Sequence, residues 1–313
     1  MKLEHIVNLT NHPDIVALER ELRTYLADPA AKAVAYAAEI AAHRSIDNLI
    51  PEMLAAYDHL FVEPEKTDPD AIGKQTVVQA LQDLAYHNPA PYLRGLHYYE
   101  PYNQGIDDRA AQLRATCARG LVHCDLDRLS ILQILIEHLV DRIATVRSDV
   151  IGSIAQLGGT EALLLIRFKA LSGDEEGDVI SACFTALLEM DPHESITFIA
   201  KFLKTNRIIE AVTALASLRN AIAFPLITER WTATLSDDVR RAIIYSAATC
   251  PLPIGCEFLL TIIANDPQDN LVQWAIEAIA LSKFKLKFQD RVYTLVQQSE
   301  SLAQLATYNR FFD

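Results

Sequence analysis

Shifted along by 33 residues, the middle of this chain lands on itself: Val146 falls on Val179, Ser148 on Ser181, Ile154 on Leu187 and Leu157 on Met190. Beyond them Glu161 falls on Glu194 and Ile166 on Ile199. A fixed period in this range, with apolar residues at helical spacing, marks stacked helix pairs. One such pair cannot bury its apolar face alone, so neighbours must stack on it. The expected fold class is all-α.

Read in order, the pattern predicts about nine pairs. The first four are 13–27 with 30–43, 46–61 with 70–87, 91–98 with 107–123, and 126–140 with 145–157. Then come 161–171 with 178–190, 194–204 with 207–218, and 221–235 with 237–249. The last two are 256–264 with 269–281, and 289–297 with 299–311. Asp28-Pro29 and Asp68-Pro69 punctuate the early pairs, and Gly158-Gly159 lets the chain leave a helix through a left-handed residue. The step shortens to 28 between Leu187 and Leu215, and Pro225 should kink its helix or mark its first turn. A single run of repeats is expected over 1–313, degenerate over 1–125 and clearer over 126–297, with a capping helix over 298–313.

Half the residues are hydrophobic and only 10 are Gly, which suits packed helices. The net charge of −13 argues against nucleic acid, whose binding rests on Lys and Arg displacing counterions. Lys283, Lys285 and Lys287 form the one compact basic cluster in the sequence. Cys117, Cys124, Cys183, Cys250 and Cys256 are scattered, imply no pairing and suit a reducing compartment. The start, MKLEHIVNLTNHPD, lacks an uninterrupted apolar core. The most apolar window, 245–264, is broken by Pro251, Pro253, Gly255 and Glu257. A cytoplasmic protein with no membrane span is the expectation.

The most informative local stretch is HYYEPYNQG, His97 to Gly105. It is long for a turn between paired helices and carries Tyr98, Tyr99 and Tyr102. Its tyrosines either pack back over the neighbouring repeat or form a patch for a partner. Asp107 and Asp108 beside it suit a basic or amide-rich partner.

Acidic residues gather at the turns: Glu63, Glu65, Asp68, Asp70, Asp107, Asp108, Asp174, Glu175, Glu176, Asp178, Asp237 and Asp238. Asp at a helix start caps free N–H groups, and the excess could also attract a basic segment. Cys117, His123 and Cys124 lack the spacing of a metal site. No catalytic residue, metal or cofactor is expected.

The units IATVRSDVIGSIAQLGG and LSDDVRRAIIYSAATC resemble HEAT-repeat proteins, specifically the short HEAT-like repeats of the phycobilisome-lyase type. Val146-Arg147 and Asp237-Asp238-Val239-Arg240 carry the likeness, which covers Leu126 to Gln297. Before that, only the Asp-Pro turns and helix lengths match. Val179-Ile180 and Val272-Gln273 depart from the Val-Arg pattern. Lys66 to His123 is also similar to a segment of bacterial HEAT-repeat proteins of unassigned function.

The resemblance implies an α-solenoid, a right-handed superhelix of armadillo-like helix pairs whose second helices line a concave face. Phe184, Arg241 and Tyr245 are then groove candidates, and Arg147 and Arg240 pair with turn aspartates of adjacent repeats as a structural ladder. The function it implies is a non-enzymatic scaffold that binds a protein partner through a basic or helical segment. The alternative is a bilin lyase, isomerase or chaperone role. HEAT enzymes that bind iron use several His-Glu pairs, and this chain has only His193-Glu194. HEAT-like DNA glycosylases need aromatic residues in a basic groove, whereas Trp231 and Trp274 fall on different layers of an acidic chain.

Overall fold

The computed structural model describes residue 6 and residues 9–105, 107–220, 222–231 and 235–312. Helix makes up 75% of it, in 19 α-helices among the described residues. The all-α expectation holds. Contacts divide the chain into two compact units, Met1–Leu171 and Ser172–Asp313.

The first unit holds α1 (Ile15–Leu26), α2 (Ala31–His43), α3 (Ile50–His59), the short α4 (Pro64–Thr67) and α5 (Ile72–Asp83). It continues with α6 (Ala90–Leu96), α7 (Ala111–Leu121), α8 (Arg128–Glu137) and α9 (Ala144–Leu157), and α10 (Gly159–Ser172) runs to its end. The second unit holds α11 (Gly177–Met190), α12 (Pro192–Ala200), α13 (Ile208–Ala216), α14 (Ala223–Thr228) and α15 (Asp237–Thr249). It finishes with α16 (Ile254–Asn265), α17 (Asp269–Leu281), α18 (Lys285–Gln298) and α19 (Leu302–Phe312).

Within the first unit the second helices of the pairs touch in series, α2 on α5, α5 on α7 and α7 on α9. Within the second unit α11, α13, α15, α17 and α19 do the same. First helices form another layer: α1 touches α3, α14 touches α16, and α16 touches α18. The core lies between the layers. Val77, Val78 and Leu81 of α5, and Leu271, Val272, Ile276 and Ile279 of α17, are buried on one stripe each. Each such side chain contributes about 1.5–3 kcal/mol of apolar burial. Small residues let α2 and α5 approach closely. Ala33, Ala37, Ala38 and Ala41 are buried, and a Cβ on Gly73 would lie 3.0 Å from that of Ala31.

Aspartate or serine caps the start of four helices, as its type predicts. Asp14 accepts from the amides of Val16 and Ala17, Asp127 from Ser130, Asp191 from Glu194, and Ser236 from Val239. Pro225 lies in the first turn of α14, where its missing N–H costs nothing. Gly158 and Gly159 leave α9 with φ of 68° and 82°, as that turn requires. Position 221 and positions 232–234 of the expected helix 221–235 lie outside the described residues.

Polar ties join successive helices within each layer at nearly the 33-residue period of the sequence. In the first unit Gln82 donates to the Thr116 carbonyl, 34 residues away, and Arg128 pairs with Glu161, 33 away. In the second, Arg291 pairs with Glu257 at a spacing of 34 and Gln304 with Asp269 at 35. Arg230 donates to the Leu203 carbonyl across only 27 residues, inside the region where the sequence step shortens.

One expected helix starts late. The pattern predicts a helix from Asp107, but Asp107–Asp108 form a strand, β2, that pairs antiparallel with β1 (Pro101–Tyr102). The helix begins at Ala111. Among the described residues no helix is long and apolar enough to cross a membrane.

Candidate functional site

Two cations that no solvent reaches support the aromatic turn. Arg114 of α7 and Lys74 of α5 are both 0% exposed. Each occupies the apolar stripe of its helix, Arg114 with Ala110, Cys117 and Leu121, and Lys74 with Val77, Val78 and Leu81. A buried charge must be paired and hydrogen-bonded. Arg114 donates to both carboxylate oxygens of Asp141, at 2.9 and 3.2 Å, to Asp108 at 3.0 Å and to the Tyr98 carbonyl at 3.0 Å. Lys74 Nζ lies 3.2 Å from the Asp68 carboxylate and 3.2 Å from its carbonyl. Asp68 also caps α5, accepting from the Gly73 and Lys74 amides.

The turn is laid over these two charges. The Tyr98 ring packs edge-on against Phe61 at 4.9 Å and covers Lys74 at 5.3 Å. Its hydroxyl donates to Glu100, and burial pushes the phenol up, with Glu100 adding to the shift. Burial likewise holds the Glu100 carboxyl above its usual range. Asp108 accepts from the Glu100 and Ala110 amides and closes the base of the hairpin. Arg142 donates to the Gly105 carbonyl at its tip.

Tyr98 is therefore a structural residue. Tyr99 and Tyr102 remain 47% and 42% exposed. The Tyr99 ring lies 4.2 Å from the Arg114 guanidinium carbon, and Arg109 lies 4.8 Å from the Tyr102 ring. His97, also exposed, meets His138 edge-on at 5.4 Å. Asp108 does not face a partner, because its carboxylate is turned inward onto Arg114 and the Glu100 and Ala110 amides. The turn is flanked instead by the exposed Arg94, Arg109 and Arg142, of which Arg94 pairs with Asp58 and Arg109 with Asp70.

The groove candidates divide. Arg241 on α15 is exposed, 5.7 Å from the Tyr245 ring and 5.4 Å from the Trp274 ring of α17. Tyr245 is part-buried, and its phenol is pushed up by burial and by Glu277. Phe184 does not line a groove. It is 0% exposed and packs edge-on against Phe202 at 4.9 Å. The reason is register: Ile180, Phe184 and Leu187 share one helix face, and that face is core. In the first unit, Tyr36, Glu39, Ile40 and His43 of α2 and Asp83 of α5 line a hollow of about 540 Å³.

Of the two ladder candidates, Arg147 donates to the carbonyls of Asp141 and Arg142 at 2.7 and 3.2 Å. Arg240 is buried, with its guanidinium 5.9 Å from the Trp231 ring. Arg114 also joins carboxylates of two helix pairs around the turn, and the repeat pattern passed over it. Its signal was present in the sequence: an arginine on a buried stripe has to find carboxylates. Cys117 and Cys124 are buried, and His123 contacts Gln156 instead. Among the described residues no three of His, Cys, Asp and Glu converge as a metal site.

A scan against protein-family models finds no match for this chain, and a search of curated proteins finds none either.

Proposed function

We propose that each unit is a run of HEAT-like helix-pair repeats, and that the chain works as a non-enzymatic scaffold holding a protein partner. The serial contact of the second helices and the polar ties at 33–35 residues support the repeat reading. The observation that carries the binding reading is the division of labour in the aromatic turn. Tyr98 serves the seat, whereas Tyr99 and Tyr102 keep nearly half their surface exposed on a backbone held by Arg114 at Tyr98 and by the β1–β2 pairing at Tyr102. Exposed tyrosines held rigidly bind at low entropic cost, because little remains to be ordered.

Asp108 is turned inward and arginines flank the turn, so the partner segment is helical or amide-rich rather than strongly basic. The exposed face of the second helices, with the hollow beside Tyr36 and the Arg241–Trp274 contact, extends the same surface type in each unit.

The test uses the full chain as bait in extract of its source cell, then a binding isotherm with the recovered partner. Tyr99→Ala with Tyr102→Ala should weaken that isotherm at least about tenfold, the scale of interface hot spots. Affinity unchanged in this double variant, with the fold intact, would overturn the reading.

A further inference from the structure

His138 is buried in the short turn after α8, with 3% of its surface exposed, and its Nε2 has no hydrogen-bond partner. The groups around it come from every neighbouring element. His97 approaches from the aromatic turn, Arg114 from α7 and Asp141 from the segment before α9. Glu137 precedes it in the chain, and Arg147 of α9 holds the Asp141 carbonyl. Asp141 and Glu137 favour a charged ring, but both Asp141 oxygens are already taken by Arg114. A second proton on this ring would therefore enter a buried site beside an arginine and a second imidazole. The His97 ring, edge-on at 5.4 Å, is the part of the turn that meets it.

We propose that the His97–His138 contact is an acid-sensitive latch, and that protonation of His138 lifts residues 97–105 from their seat. Burial, with His97 next in weight, holds the His138 ring below the usual imidazole range, so the closed turn keeps it neutral. The opened ring, in water, titrates near an ordinary pKa of about 6.5. Opening therefore takes up a proton. The closed form is fully favoured above that pKa and loses ground as pH falls below it. The latch is a property of the seat and holds whether or not the turn binds a partner, so the two readings fail separately.

Amide hydrogen exchange of the full chain, corrected for intrinsic rate, tests it. Exchange within 97–109 should rise up to about fivefold between pH 6.5 and 5.5, the factor for one proton gained on opening. Exchange in α17 should not change. His138→Leu should abolish the rise. Should that variant fail to fold, the His138 ring resonances of the unmodified protein decide. A closed turn with His138 titrating near 6.5 overturns the proposal, as does exchange equal at the two pH values or a rise that persists in His138→Leu.

Discussion

Arg114 and Asp141 form a two-point ion pair, 2.9 and 3.2 Å long, with both side chains at 0% exposure. They belong to different helix pairs, 27 residues apart, and the aromatic turn closes over them. The consequences for stability can be measured directly.

Arg114→Met should destabilise the protein by about 3–5 kcal/mol, because it leaves Asp141 and Asp108 buried without their cation. Arg114→Met combined with Asp141→Leu should recover part of that loss, since the uncompensated charge goes too. Urea unfolding of the three proteins gives the comparison. A single variant within about 0.5 kcal/mol of the parent would show that water compensates these carboxylates.

The three tyrosines of the turn should separate by stability alone. Tyr98→Ala removes a ring packed on Phe61 and over Lys74, and should cost about 2–4 kcal/mol. Tyr102→Ala loses an exposed stacking contact worth about 0.5–1 kcal/mol. Thermal melts should therefore show a drop of several degrees for the first and little for the second. Equal drops would mean that Tyr102 is packed as Tyr98 is.

All five cysteines are buried thiols outside any disulfide. Burial pushes the Cys124 thiol up to about 11, and the Cys117 thiol further. The thiolate is the reactive form, so alkylation of the native protein should be slow even at pH 9. All five should react at once after unfolding. A thiol that reacts within seconds in the native protein would contradict this burial.

Duplex DNA should not bind usefully near physiological salt. The net charge is −13, and in the Lys283–Lys287 cluster Lys285 already donates to the Phe311 carbonyl. A fluorescence-anisotropy titration with random-sequence duplex should show no salt-sensitive complex below micromolar concentrations.

The helix pairs were legible because their information is local. The stripe Leu271, Val272, Ile276 and Ile279 gives the helix 269–281 to the residue. The site was only half legible. The length and aromatic content of the turn pointed to it, but Asp107 and Asp108 read as a helix start and proved to be strand. What decides their conformation is Arg114, which draws Asp108 inward together with Asp141, and no local pattern encodes a meeting of residues 108, 114 and 141. Phe184 was misplaced for the opposite reason. Its local register with Ile180 and Leu187 already assigned it to the core, and the groove reading set that aside.

The polar ties between successive helix pairs join residues about one repeat period apart in the chain, from 26 residues for Lys285 and Phe311 to 40 for Arg109 and Pro69. Contact order is accordingly low for a chain of 313 residues, and each layer can form against its neighbour without waiting for a distant segment to arrive. Under the repeat reading proposed above, unfolding within each unit should resemble the fraying of a stack. A residue-resolved measurement would return a free-energy profile along the chain, in which damage at one layer decays over the next.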